Sequence, residues 1–89
     1  MLFMTIFNYE PQNRDEVVKR RAEKGGMVPE GMKILGEWSC VKSGQVFRLV
    51  DTNDSATMMG ATFAWSDLGA VEIHPVMETE DVMKLIASG

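Results

Sequence analysis

One histidine, His74, stands two residues from Glu72 in a chain of 89 residues. In a strand, residues two apart share a face, so this spacing sets a carboxylate beside an imidazole. Glu72 would then orient His74, and His74 would act as a general base near neutral pH. Arg48 supplies a fixed cation for an anionic or enolate oxygen. Glu37 and Ser39 alternate on the strand before Arg48 and are expected to share a face with it and with Glu72 and His74. The plain reading stands beside this one. A lone histidine next to Pro75 on an edge strand is commonly a surface or hydrogen-bonding residue, and Glu37 with Arg48 is a cross-strand ion pair. Glu72 and His74 make two ligands, which is short of a metal centre. No Walker loop, dinucleotide-binding glycine motif, zinc motif or Ser-His-Asp spacing is present, so no cofactor and no metal is expected.

Those side chains need elements to hold them. The aromatic and β-branched run 2–9 reads as a strand that Pro11 stops. Asn13, with Glu16 three residues on, has the form of a capping box opening a helix over 14–24. That helix turns Val17, Val18, Ala22 and the stem of Arg21 inward, and Gly25-Gly26 ends it. Two strands, 32–41 and 46–52, flank Lys42-Ser43-Gly44-Gln45, a turn that pairs Val41 with Val46, Ser39 with Arg48 and Trp38 with Leu49. Asn53 or Asp54 caps a second helix to about 65 or 66. A fourth strand covers 70–77, and Pro75 requires it to be at a sheet edge or distorted there. Thr79 opens a short final helix whose Val82, Met83, Leu85 and Ile86 are expected to pack.

The order β-α-β-β-α-β with a tail helix predicts an α+β class, ferredoxin-like sandwich. Its antiparallel sheet has spatial order 4-1-3-2, both helices lie on one side, and 1–89 forms a single domain. Trp38, Cys40, Phe47 and Leu49 make the more apolar face and are assigned to the helices. Leu35, Glu37, Ser39, Val41, Val46, Arg48 and Val50 make the other. In the second helix, Ala56, Met59, Gly60, Phe63 and Ala64 fall on one arc at ~100° per residue, taken as the sheet-facing side. Met58, Ala61 and Trp65 form a second stripe. Trp65 either folds over the sheet edge or walls a pocket or interface. Asp67, near the end of that helix, breaks the dipole preference for a cation and is expected to pair with a basic residue of helix one or of a second copy.

Residues 55–66 carry no charge, which is unusual for a helix open to water on its outer side. That stripe and a second, half-apolar sheet face lead to a homodimer, two sheets closing face to face as a dimeric α+β barrel. Size agrees: a chain of 9.9 kDa buries roughly 64% of its unfolded surface, a thin core. Net charge is −4, so no nucleic-acid partner is expected. Residues 1–50 hold eight Lys/Arg against six Asp/Glu, and residues 51–89 hold Lys84 against seven acids. The basic cluster 14–24 is interleaved with Asp15, Glu16 and Glu23 and reads as a solvated helix face. No apolar run reaches the ~18 residues of a membrane span. The start lacks the basic flank and cleavage site of a signal peptide, and Cys40 is alone, so a reducing cytoplasm is the expected compartment.

Several segments carry a resemblance: Pro29-Glu30-Gly31, Gly36-Glu37-Trp38, Leu49-Val50-Asp51-Thr52, Trp65-Ser66-Asp67-Leu68 and Pro75-Val76. Across nearly the whole chain they resemble a family of short bacterial and archaeal domains classed as a domain of unknown function. That family is similar in turn to the dimeric α+β barrel superfamily, with its antibiotic-biosynthesis monooxygenases and muconolactone isomerases. The resemblance implies the fold and the dimer more strongly than an activity. Haem-degrading members of the superfamily use a histidine on the helix after strand three; Met58 and Met59 stand there in this chain. Two functions follow as expectations. One is a small dimeric protein binding an apolar or aromatic molecule through Glu37, Ser39, Met58, Trp65 and Glu72. The other is a cofactor-independent monooxygenase- or isomerase-like enzyme using His74 and Arg48.

Overall fold

Branched and aromatic side chains favour a pleated backbone, and the opening run forms β1 (Leu2–Tyr9). The computed structural model describes residues 1–88. A single 3-10 turn, Pro11–Asn13, leads into α1 (Arg14–Lys24). Then follow β2 (Lys33–Ser39), β3 (Gln45–Asp51), α2 (Ser55–Phe63), β4 (Gly69–Val76) and α3 (Thr79–Ser88). The four strands make one sheet in the order β2-β3-β1-β4, the expected order read from the opposite edge. All neighbours are antiparallel. Pro75, which has no N–H to donate, lies on the edge strand β4.

The two helix starts differ. Asp54 caps α2 by accepting the Ala56 backbone N–H at 3.0 Å and the Thr57 hydroxyl at 3.0 Å. Asn13 does not cap α1: the preceding turn leaves it at φ −94°, ψ −6°, away from the extended backbone a capping residue needs. Its side-chain amide donates instead to the Leu68 carbonyl at 2.9 Å, tying the start of α1 to the turn before β4.

The β2–β3 register departs from expectation by two residues. Cys40 N–H donates to the Gln45 carbonyl and Ser43 N–H to the Cys40 carbonyl, each at 2.9 Å. Ser43 and Gly44 take the positive φ values that close this loop, 71° and 90°. Glu37 therefore faces Arg48, Trp38 faces Phe47 and Ser39 faces Val46, with an irregularity between Ile34 and Gly36. A slip of two preserves the side-chain alternation from Gly36 to Ser39 and along β3, so those residues stay grouped, whereas the irregularity pairs Ile34 with Val50 and leaves Leu35 exposed, and Val41 lies beyond β2.

Which face turns inward is the opposite of the expectation. Glu37, Ser39, Val46, Arg48 and Val50 look toward α1 and α2, and Val50 is 1% exposed. Trp38, Phe47 and Leu49 lie on the open side, where the Trp38 ring rests over Gly36; a Cβ at Gly36 would come 2.5 Å from it. The stripes of α2 are reversed as well. Met58 and Trp65 are buried, whereas Met59 and Phe63 are exposed, and Gly60 lies against Pro29 rather than the sheet. α3 forms where expected, but Val82, Met83, Leu85 and Ile86 do not pack; Ile86 is 67% exposed.

The buried cluster is small: Val17, Trp65 and Leu68, with Phe7, Tyr9, Met27 and Ala64 against it. Accessible surface is 6123 Å², above the ~5,200 Å² expected of a compact monomer of this mass. The radius of gyration is 14.8 Å, where a compact chain of this length has about 12 Å.

Candidate functional site

Between the helices and the sheet lies a cavity of about 350 Å³, at the small end of the roughly 300–1,000 Å³ typical of small-molecule sites. Its walls are mostly apolar. β1 contributes Phe7, β3 contributes Val46 and Val50, and α1 contributes Val17. Met58 from α2 and Trp65 from the turn after it close the opposite wall. The Phe7 and Trp65 rings meet at a tilt with centroids 5.7 Å apart.

A charged cluster interrupts this lining. The Glu37 carboxylate accepts Arg48 Nε at 2.5 Å and Arg21 Nη2 at 3.0 Å. Arg48 also donates through Nη2 to the Gly26 carbonyl at 3.1 Å, so the loop after α1 is pinned to β3. Burial alone would raise the Glu37 carboxyl, but the hydrogen bond and charge of Arg48, with the charge of Arg21, outweigh it and hold the group below its ordinary range. The side chain of Arg48 is 14% exposed; that of Arg21 is 51% exposed and stands at the rim.

A second ion pair braces the Trp65 wall. Arg20 of α1 grips Asp67 through two hydrogen bonds of 2.7 Å and donates to the Ala64 carbonyl at 2.9 Å. Its guanidinium also lies over the Trp65 ring, 5.7 Å from the centroid. The hydrogen bond from Arg20 holds the Asp67 carboxyl below its ordinary range. This is the helix-one partner expected for Asp67. The indole Nε1 of Trp65 is enclosed and has no hydrogen-bond acceptor among the described residues.

The expected site residues separate into two groups. Glu37, Ser39, Arg48, Met58 and Trp65 all line the cavity. Glu72 and His74 do not, which corrects the shared face expected for them. β4 pairs with β1 so that Glu72 faces Ile6 and His74 faces Met4, while Phe7 and Thr5 of β1 point into the cavity. Alternation therefore sets His74 and Glu72 on the open side, with the sheet between them and Arg48. There Glu72 accepts the Asn8 amide at 2.9 Å and lies 3.6 Å from His74 Nε2, whose side chain is 53% exposed. Cys40 is free and half-buried at the hairpin, outside the cavity lining. No cluster of three or more metal-ligating side chains occurs among the described residues.

The head group of Arg21 joins the site, where its helical spacing alone accounts only for an apolar stem turned inward. Its spacing from Val17 and Val18 already put it on the inward face of α1; its ion pair with Glu37 is a contact between residues far apart in the chain. No helix of the described residues is long and apolar enough to cross a membrane. Neither the curated proteins nor the solved structures contain a match to this chain. A family profile matches it from end to end, over residues 1–89, and the chain belongs to the family described as Domain of unknown function (DUF3303).

Proposed function

We propose that this protein is a homodimeric small-molecule-binding protein of the cytoplasm that takes an apolar or aromatic ligand between its helices and its sheet. The cavity carries the reading: apolar side chains from three strands and both helices enclose it, and a few polar groups converge on one part. The dimer is supported by what a single chain leaves uncovered. Met4, Ile6, Phe47 and Leu49 share the open sheet face with Trp38, which is 55% exposed. α3 adds a second uncovered apolar surface. A second copy closing over the open face, as in the dimeric α+β barrel arrangement, would remove the surface excess.

The enzyme reading keeps Arg48 in the cavity but requires His74 and Arg48 to reach one substrate, and the sheet lies between them. Binding is therefore the better-supported function. Native mass spectrometry of the purified protein tests both halves of the proposal. The expected spectrum shows two copies and a retained small molecule that is released on unfolding. A bare monomer at micromolar concentration would overturn the dimer.

A further inference from the structure

The cavity is not electrically neutral. Among the residues lining it, the charged ones are Arg21, Arg48 and Glu37, two cations against one carboxylate. One positive charge is thus left over, in a chain whose net charge is −4. Both arginines engage Glu37, yet neither is saturated by it. Arg48 spends Nε on Glu37 and Nη2 on the Gly26 carbonyl; its Nη1 has no acceptor among the described residues. Arg21 spends Nη2 alone. Guanidinium donors in an apolar surround favour a carboxylate, which accepts through two coplanar oxygens.

Apart from the hydroxyls of Thr5, Ser39 and Thr62, the remainder of the lining is apolar and aromatic. The donors that the cavity presents to a ligand are those of the two guanidinium groups, since the Trp65 Nε1 is fully enclosed. The cavity therefore offers more hydrogen-bond donors than the chain consumes, together with flat apolar surface from Phe7 and Trp65. A single surplus charge matches a monoanion. A dianion such as a phosphate monoester would leave the site net negative and in part desolvated.

Resting on the reading of this cavity as a ligand site, we infer that the ligand is an aromatic monocarboxylate: its carboxylate is taken by Arg21 and Arg48, and its ring lies against Phe7, Val50, Met58 and Trp65. Glu37 holds the two guanidinium groups in place and prevents a second anionic group from entering.

Three probes of one shape test this: 2-naphthoate, 2-naphthalenemethanol and 2-naphthyl phosphate, titrated into the ¹⁵N-labelled full chain and followed by amide and indole cross-peaks. Trp38→Phe identifies the Trp65 indole signal. Naphthoate should bind at least ten-fold tighter than the alcohol and tighter than the phosphate, with shifts at Trp65 and on β3. Arg21→Gln, at a half-exposed position that folding tolerates, should weaken naphthoate at least five-fold and leave the alcohol unchanged; Arg21→Lys should restore part of the loss. Equal affinity for naphthoate and alcohol overturns the carboxylate assignment while leaving the cavity a binding site. Tighter binding of the phosphate overturns the monoanion assignment. No binding of any probe overturns the ligand site and this inference together.

Discussion

The two faces of the sheet are built from strands with the same alternation, yet they solve opposite problems. The helix side holds the charges: Glu37 and Arg48 point inward, where Arg21 joins them. The open side holds Trp38, Phe47 and Leu49, the residues a simple hydrophobic rule would bury first. The inward charges are tolerated because they are paired and because the space around them is a cavity rather than a close-packed core. The outward aromatics leave an apolar face that the proposed second copy would cover. Polarity alone therefore misidentifies the inner face of this sheet.

The difference between the faces is tested most visibly at the open one. Phe47→Lys should halve the mass measured by light scattering, because a lysine there cannot be buried against a second sheet without a partner, while the far-ultraviolet circular dichroism spectrum is retained. An unchanged mass would show that the open face is not the contact surface. On the helix side the largest expected effect is thermodynamic. Arg48→Met leaves the Glu37 side chain, 26% exposed, with only the rim residue Arg21, and should cost about 2–3 kcal/mol in chemical denaturation. A loss under 0.5 kcal/mol would mean that the cluster contributes little to folding.

A smaller effect separates the faces by pH. The folded Glu37 carboxyl sits below the ordinary value of 4.5, so between the folded and unfolded values the unfolded chain binds more protons. Its contribution to stability is full above about pH 4.5 and is lost as pH falls through the folded value. Glu37→Gln should flatten the acid limb of the stability profile, measured by urea midpoints from pH 6 to pH 3. An acid limb of unaltered slope would place the titrating groups elsewhere. The smallest effect is expected at His74. Its side chain is half exposed on the open face, so His74→Gln should change monomer stability by no more than about 0.5 kcal/mol and leave naphthoate affinity unchanged. A loss of binding in that variant would return His74 to the same site as Arg48.

Much of the framework was legible from local pattern. Asn53 or Asp54 marks a helix start because a short polar side chain can accept an early helical N–H, and Asp54 does so. Pro75 marked an edge strand for want of a donor. Asn13 misled because Pro11 converts the approach to α1 into a 3-10 turn, which removes the extended backbone a cap needs. The hairpin register slipped because the chain turns earlier, over Val41-Lys42, where Ser43 N–H donates to the Cys40 carbonyl; Ser43 and Gly44 at positive φ then complete a four-residue loop in place of a tight two-residue turn. Of the candidate site residues, Glu37, Ser39, Arg48, Met58 and Trp65 line one cavity while Glu72 and His74 lie across the sheet from it, a division that strand alternation alone does not reveal.

What the chain determined by itself is periodic: which residues alternate together, where helices begin, and that the strands order as a ferredoxin-like sheet. Those properties depend on neighbours within a few positions, or on the handedness of a crossover. Which face the helices cover is set by long-range packing, and with it the parting of His74 from Arg48 and the joining of Arg21 to Glu37. Alternation with a period of two is symmetric between the faces of a sheet. Breaking that symmetry takes packing between elements distant in sequence, and here the packing turned a pair of charges inward to form a cavity.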